Sequence, residues 1–408
     1  MVSTPLSRLR AFAANLTVLL IGIVTAALLL EVALRVHNPF QARIKGDRIV
    51  LTANARGHYR YAATLPGLDR EITISSNALG FRGPNPPARF AEHLTLVAIG
   101  GSTTRCALQS DDKTWTAHLG RLLGRSFRDV WINNAGLDGH STFGHRVLLE
   151  DCIVRLHPKV ALFLVGVNDV VAGANNERDA ENIRGPLRLG SLKAPLRSLC
   201  AHSEAAAMIL DLYRSAVAQW GGLGYHPVDL AALGEYQATP EQERAHREAF
   251  AGPDRLADYA ERLERLIEDA RAAAIEPVFV TQPLLVGRGM DDVTGRNLAT
   301  IAVVRHGNGK MLWDVLEAYN DVTRRVCREN GVLLIDLARD MPKSSRYFAD
   351  FMHFNNDGTA LVAEWIDRSL CPHLARRYPT YVTDPCPGSA LLHDRAGDAR
   401  RPPDGAEP

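Results

Sequence analysis

The sequence lacks an excess of charge of either sign. It has 47 lysines and arginines against 46 aspartates and glutamates, which leaves a net charge of +1. Nucleic-acid-binding domains present a basic face to the phosphate backbone, so a nucleic-acid partner is not expected. With 408 residues and 46% hydrophobic content, the chain is long enough for the core of one large domain with additions.

Cysteine is also scarce, and the six cysteines form no C-x-x-C pair. Without such a pair, neither a zinc site nor a thioredoxin-like motif is indicated. Cys152 and Cys327 fall within helical patterns, where a free cysteine behaves as a small buried hydrophobe. Cys371 and Cys386 are able to pair in an oxidising compartment, but six cysteines allow too many connectivities for an assignment.

Long uncharged runs are absent except for one at residues 11–30. A helix of that length spans about 30 Å, close to the hydrocarbon thickness of a bilayer. A cleaved signal peptide is the alternative, but the apolar region is long for one and no convincing A-x-A site follows. We therefore expect an uncleaved, single-pass transmembrane anchor at 11–31, preceded by a short flank at 1–10.

Composition divides the rest of the chain into three segments. Residues 32–92 are rich in turn formers and are interpreted as a connector, in which the alternating residues 71–75 predict a short strand. Residues 93–372 form the main domain. After Pro372 the chain becomes charged and rich in proline and glycine, so the tail 373–408 is expected to be disordered.

In the main domain, short apolar runs alternate with helical patterns. Strands are predicted at 94–99, 130–133, 160–165, 277–281 and 332–336. Helices are predicted near 114–124, 144–156, 254–274 and 312–330. Such alternation favours a parallel sheet that is covered on both faces and joined by right-handed crossovers, as in α/β proteins.

A long segment, 170–253, separates the third and fourth predicted strands. It contains an alanine-rich helical pattern at 201–219, and loop-like stretches at 175–178 and 220–224. An insertion at the carboxyl end of a strand is well placed to form a cap or a substrate wall. A packing embellishment is the alternative, and the sequence does not decide between the two.

Chemically active side chains cluster where the predicted strands end. The first strand runs into Gly100-Gly101-Ser102, where glycine permits a sharp turn. Further polar stretches lie at 133–142, 166–169 and 350–358. Because ligands bind at the carboxyl ends of parallel strands, these stretches are expected to be neighbours. Together they contain the hydroxyl, imidazole, carboxylate and hydrogen-bond donors that acyl transfer requires.

These blocks resemble those of the SGNH hydrolases, the GDSL esterase/lipase superfamily, over roughly residues 90–370. The four residues that give the family its name fall, in order, on Ser102, Gly136, Asn168 and His353. Each block alone is a weak signal. Four blocks in the right order on the right strands are a strong one.

The resemblance implies a role for each residue. Ser102 would be the nucleophile, His353 the base, and Asp350 the acid that orients the base. The oxyanion hole would be formed by the Ser102 and Gly136 amides and the Asn168 side chain. Neither a metal nor an organic cofactor is implied.

Two features separate the chain from related patterns. The family's usual Gly-Asp-Ser is Gly100-Gly101-Ser102 here, so substrate preference cannot be transferred from Gly-Asp-Ser members. The G-x-S-x-G elbow of the α/β-hydrolases is not met either, because Thr104 replaces its last glycine.

A metal cluster of Asp138, His140 and His145 has no zincin spacing and is not expected.

The resemblance implies a flavodoxin-like three-layer α/β/α domain with a five-stranded parallel sheet. It also implies a serine esterase that hydrolyses a carboxylic ester, in a small molecule or a glycan, through an acyl-enzyme. Since anchored members commonly act on envelope glycans or lipids, we expect deacetylation of an envelope glycan. Two alternatives stay open: an O-acyltransferase with the same triad, and a catalytically silent envelope-binding subunit. The intact set of site residues counts against the silent subunit.

The basic residues on the two sides of the apolar helix do not decide its orientation in the membrane. They are Arg8 and Arg10 before the helix, and Arg35, Arg43, Lys45 and Arg48 after it. Positive-inside counting favours a cytoplasmic domain, but long following domains translocate largely regardless of charge. The resemblance to anchored, envelope-directed members leads us to expect an extracytoplasmic catalytic domain. The sequence gives no indication of oligomeric state.

Overall fold

The computed structural model describes residues 5–36, 44–45, 48–61, 66–172, 193–220, 225, 227–303 and 306–387. The chain divides into two compact units, which are described separately below. The smaller unit comprises residues 1–50 and 182–224, and the larger unit comprises 51–181 and 225–408. The predicted loop at 175–178, most of the one at 220–224, and the chain from 388 onwards lie outside the described residues.

The strands and helices are numbered along the chain. The strands are β1 (Ile44–Lys45), β2 (Arg48–Ile49), β3 (Arg56–Arg60), β4 (Glu71–Ser75), β5 (Leu94–Gly100), β6 (Val130–Asn134), β7 (Val160–Val165), β8 (Glu276–Thr281), β9 (Ala302–Val303), β10 (Gly307–Asn308) and β11 (Leu333–Ile335). The main helices are α1 (Pro5–Val36), α2 (Ser102–Arg105), α3 (Trp115–Leu123), α4 (Thr142–Leu148), α5 (Val167–Ala172), α6 (Lys193–His202), α7 (Glu204–Trp220), α8 (Pro240–Ala251), α9 (Pro253–Ala272), α10 (Gly309–Glu329), α11 (Leu337–Asp340) and α12 (Asn356–Arg377).

The larger unit is built on a five-stranded sheet with the order β11-β8-β7-β5-β6. All four neighbouring pairs are parallel. Counted along the chain, this order is the 2-1-3-4-5 arrangement of flavodoxin-like folds. The predicted five-stranded parallel sheet and fold class are confirmed.

Burial of the strands explains the layering of the larger unit. Every residue of β5 and β7 is buried, so the sheet requires cover on both faces. Helices α3 and α12 pack together on one side, and α4, α9 and α10 form the other layer. Side-chain caps start several of these helices: Thr114 accepts a backbone hydrogen bond at α3, and Asn355 does so at α12.

The last helix extends further than the sequence predicted. It continues past Pro372, and the structure describes the chain up to residue 387. Burial of Leu374 and a disulfide between Cys371 and Cys386 tie this segment to the core. The prediction of disorder is therefore wrong for 373–387, because tertiary contacts outweigh a composition that is typical of flexible tails.

The smaller unit is built around α1. Within it, Phe12–Val36 is long and apolar enough to cross a membrane, a property that anchors and signal sequences share. The other described elements of this unit are helices α6 and α7 and the antiparallel pair β1–β2. Residues 193–220 of the predicted insertion therefore group with the N-terminal helix, whereas 227–251 belongs to the larger unit.

Candidate active site

Ser102 lies where the central strand β5 ends. The strand finishes at Gly100, and Ser102 is the first residue of the short helix α2. A Cβ atom on Gly100 would lie 2.1 Å from the Thr104 side-chain oxygen, so strand and helix approach closely only because this residue is glycine. β5 also lies between β6 and β7, at the point where the strand order reverses and ligands bind in such sheets.

Ser102, His353 and Asp350 form a continuous hydrogen-bonded chain. His353 Nε2 lies 2.7 Å from Ser102 Oγ, and His353 Nδ1 lies 2.6 Å from Asp350 Oδ2. The other carboxylate oxygen accepts the backbone N–H groups of Met352 and His353 at 2.9 and 2.8 Å. All three side chains are buried. Because the carboxylate engages Nδ1, the Nε2 atom is left to accept the proton of the serine hydroxyl.

Asn168 follows β7 and lies beside the nucleophile segment. Its Nδ2 atom donates to the backbone carbonyl of His140 at 2.9 Å. A Cβ atom on Gly101 would lie only 2.1 Å from this same nitrogen, so the amide packs against the residue that precedes Ser102. A primary amide carries two N–H groups, and within the described part of the chain only one of them has an acceptor.

Gly136 packs against the backbone of α2. A Cβ atom at this position would lie 2.4 Å from the backbone nitrogen of Arg105, which explains why no side chain is accommodated. Its own N–H donates to Asn134 Oδ1 at 2.9 Å. The structure thus brings Gly136 next to the nucleophile helix, but its amide hydrogen already has an acceptor.

Tyr225 is a site residue that the sequence did not reveal. Its ring centroid lies 4.4 Å from that of His353, and its hydroxyl donates to Asp138 Oδ1 at 2.6 Å. Asp138 in turn pairs with Arg105 at 3.3 Å. Burial, with the Asp138 carboxylate nearby, raises the pKa of Tyr225 well above its usual value, so the phenol remains a neutral donor. No motif or periodicity marks this tyrosine, since it follows a loop of the insertion.

The three residues weighed above as a metal cluster are used differently. Asp138 bonds to Tyr225, as described. Burial next to His140 lowers the pKa of His145 to about 3, so its imidazole is neutral at physiological pH. Among the residues that the structure describes, no group of three or more His, Cys, Asp or Glu side chains is arranged to hold a metal ion.

A buried arginine from the predicted connector supports the segment behind the nucleophile. This residue is Arg82, which forms an ion pair with Asp111 at 2.8 Å. Its guanidinium donates to three backbone carbonyls at and after the end of α2, those of Arg105, Cys106 and Gln109, at 2.6, 2.8 and 2.9 Å. Carbonyls at a helix end have no partner within the helix, so the arginine satisfies them. The connector therefore contributes to the geometry of the site, which its composition did not indicate.

Comparison with known proteins identifies the family. Residues 98–361 match the GDSL-like Lipase/Acylhydrolase family. The acetylxylan esterase Axe2 from Geobacillus stearothermophilus is 12% identical, with 67% of this chain and 93% of that chain covered and a TM-score of 0.37. The acetyl xylan esterase AlAXEase is 14% identical, with 66% and 97% covered and a TM-score of 0.38. A G-D-S-L family protein from Desulfitobacterium hafniense is 12% identical, with 68% and 99% covered and a TM-score of 0.37. A search of curated proteins finds no match.

At these identities and TM-scores, the likeness to the solved structures carries no argument about activity. The family match, in contrast, spans more than half of the chain and includes all five residues that the motifs singled out: Ser102, Gly136, Asn168, Asp350 and His353. The chain belongs to the GDSL-like lipase/acylhydrolase family and is an ester-hydrolysing enzyme.

Proposed function

We propose that the protein is a membrane-anchored serine esterase in which Ser102 is the nucleophile, His353 the general base and Asp350 the orienting acid. The observation that carries this proposal is the chain of hydrogen bonds, 2.7 Å from Ser102 to His353 and 2.6 Å from His353 to Asp350. Nucleophile, base and orienting group at these distances are the arrangement that activates a serine hydroxyl.

Acylation follows from this geometry. Ser102 Oγ attacks the ester carbonyl carbon while its proton passes to His353 Nε2. The tetrahedral intermediate then collapses, the bond to the leaving oxygen breaks, and that oxygen takes the proton from the imidazolium. Water attacks the acyl-serine by the same route, which releases the carboxylic acid and restores the serine.

The negative oxygen of the intermediate requires preorganised donors. Ser102 is the first residue of its helix, so its N–H has no acceptor within the helix. Asn168 Nδ2 lies next to Gly101, the residue before Ser102, and carries a second N–H besides the one that it donates to His140. We assign the oxyanion hole to these two groups and to Gly136. Because the Gly136 N–H donates to Asn134 Oδ1, it would contribute to the hole only by sharing this hydrogen with the oxyanion.

The substrate we propose is an O-acetylated envelope glycan outside the cytoplasm. Helix α1 supports anchoring, since Phe12–Val36 meets the length and composition of a membrane span. The disulfide between Cys371 and Cys386 supports an extracytoplasmic catalytic unit, because disulfides persist in oxidising compartments. We choose a glycan as the substrate because anchored members of the family commonly act on envelope glycans or lipids.

Acetate release from an acetylated envelope polysaccharide and from p-nitrophenyl acetate tests this proposal. We expect both substrates to be hydrolysed by the wild type and neither by Ser102→Ala. Adding a sugar acceptor should leave the yield of acetate unchanged. Transfer of the acetyl group to that acceptor, with little free acetate, would make the protein an O-acyltransferase instead.

A further inference from the structure

Helix α7 of the smaller unit carries an apolar face that is open to its surroundings. Ile209, Leu212 and Tyr213 are 62%, 51% and 58% exposed, and Ala216 is exposed as well. Their spacing of i, i+3, i+4 and i+7 places all four side chains on one face of the helix. The opposite face includes the buried Ala207 and the acidic residues Glu204 and Asp211. The helix is therefore amphipathic, with its apolar face outward.

The preceding helix α6, which packs against α7, also exposes apolar side chains. Leu196 and Leu199, one turn apart, are 45% and 56% exposed. Single exposed leucines are ordinary on protein surfaces, whereas neighbouring apolar faces on two consecutive helices mark a surface that contacts something apolar.

A charged pair on α1 fixes the junction between α6 and α7. Glu31 accepts hydrogen bonds from the Ser203 hydroxyl and from the first backbone N–H groups of α7, at 2.8, 3.0 and 3.1 Å. Arg35 bonds to Glu31 at 2.8 Å and donates to the His202 carbonyl, at the end of α6, at 2.7 Å. The carboxylate meets a helix N-terminus and the guanidinium meets a helix C-terminus, which are the favourable ends for each charge.

The position of this pair along α1 sets the depth of the junction. Glu31 lies five residues before the end of the apolar span Phe12–Val36, which is about 8 Å along a helix. A carboxylate is costly inside a membrane unless it is paired, and here the helix ends and Arg35 pair it. Amphipathic helices that lie on membranes bury their apolar face to about 5–10 Å in the headgroup and acyl boundary. With Val36 at the membrane surface, the junction would lie at the depth that such helices occupy.

We propose that α6 and α7 form a membrane-embedded hairpin beside the anchor, with Leu196, Leu199, Ile209, Leu212 and Tyr213 in contact with lipid acyl chains. This inference rests on the membrane anchoring proposed above. The predicted insertion, which contains both helices, would then attach the chain to the bilayer at a second place, in addition to α1. A lipid contact also explains why the apolar face of α7 is directed outward.

A lipid-quenching experiment on the full chain tests the proposal. A genetically encoded fluorescent amino acid replaces Leu199 or Leu212, one position at a time, and each protein is reconstituted into phosphatidylcholine vesicles. Vesicles with brominated acyl chains report lipid contact, and iodide reports contact with water. Leu20, in the middle of α1, is the reference for anchoring, and the exposed polar residue Ser198 is the matched neighbour of Leu199. Hydrolysis of p-nitrophenyl acetate confirms that each labelled protein is folded.

We expect brominated lipid to reduce the fluorescence at 199 and 212 by as large a fraction as at 20, with iodide reducing only the signal at 198. Quenching at 20 but not at 199 and 212 would overturn the lipid contact and leave the anchor standing. Shielding of 199 and 212 from both quenchers would point to a protein partner and would overturn it as well. Loss of lipid quenching at 20 too would contradict the anchoring itself.

Discussion

At the scale of single residues, Asn168 offers a test of transition-state stabilisation. Removing one oxyanion-hole donor typically costs about 10²–10³ in kcat, or roughly 3–4 kcal/mol. We expect Asn168→Ala to lower kcat by that order and to leave KM and the melting temperature near those of the wild type. Steady-state kinetics and thermal unfolding measure these quantities. A collapse of the melting temperature would show instead that Asn168 is a structural residue.

Gly101→Ala provides the control for Asn168. The added Cβ would lie 2.1 Å from Asn168 Nδ2, so the amide must move away from the nucleophile segment. We expect kcat to fall in the wild-type background and to change little in the Asn168→Ala background, since the displaced group is then already absent. Equal losses in both backgrounds would mean that Gly101 acts through something other than Asn168.

The second prediction at the scale of single residues concerns Asp350, whose carboxylate is hydrogen-bonded to His353 Nδ1. Asp350→Asn preserves the size of the side chain but favours the wrong tautomer of His353, which cost about 10⁴ in kcat in the serine-protease precedent. Steady-state kinetics of the two proteins measure this loss. An unchanged kcat in Asp350→Asn would contradict the role of Asp350 as the orienting acid.

Some residues of the candidate site could be predicted from the sequence and others could not, for a physical reason. Ser102, Asn168, Asp350 and His353 occupy short local motifs that follow strands or precede a helix, and the topology of a parallel sheet brings those motifs together. Tyr225 reaches His353 through the tertiary path of the insertion, which leaves no local pattern.

At the scale of elements, buried strands were the most predictable part of the fold. The apolar run predicted as a strand at 160–165 is the strand Val160–Val165, because a strand buried on both faces must be apolar throughout. The end of α12 was not predictable, since proline usually stops a helix and the contacts that carry it past Pro372 come from distant segments.

The disulfide at the end of α12 leads to a prediction on stability. It joins Cys371 to Cys386 across 15 residues, and a loop of that length contributes about 3 kcal/mol by restricting the unfolded chain. Reduction with dithiothreitol should therefore lower the melting temperature. The double variant Cys371→Ala/Cys386→Ala is the control, because its melting temperature should not respond to the reductant. An unchanged wild-type melting temperature on reduction would show that the bond adds no stability.

At the scale of the whole molecule, the proposed function requires a particular orientation of the chain across the membrane. We expect the catalytic unit to lie outside the cytoplasm, because disulfides persist in oxidising compartments and are rare in the cytosol. Protease added to intact spheroplasts should then cleave residues 94–370, with a cytoplasmic protein protected as the control. Protection of this segment until the membrane is lysed would place it inside and exclude an envelope glycan as substrate.

The grouping of residues 193–220 with α1 could not be predicted from the sequence. Helical patterns are visible in 201–219, but the partner of Glu31 is a helix end more than a hundred residues away along the chain. Sequence periodicity identifies a helix and its apolar face, whereas the choice of partner depends on long-range capping and packing.

Fluorophosphonate labelling of the full chain, followed by peptide mass spectrometry, tests the central claim most directly. The reagent forms a covalent bond only with an activated serine, so it reports the triad without knowledge of the substrate. We predict one label on Ser102, strongly slowed labelling in His353→Ala, and none in Ser102→Ala. Undiminished labelling of Ser102→Ala, or a folded wild type that never reacts, would contradict the assignment of Ser102 as the nucleophile.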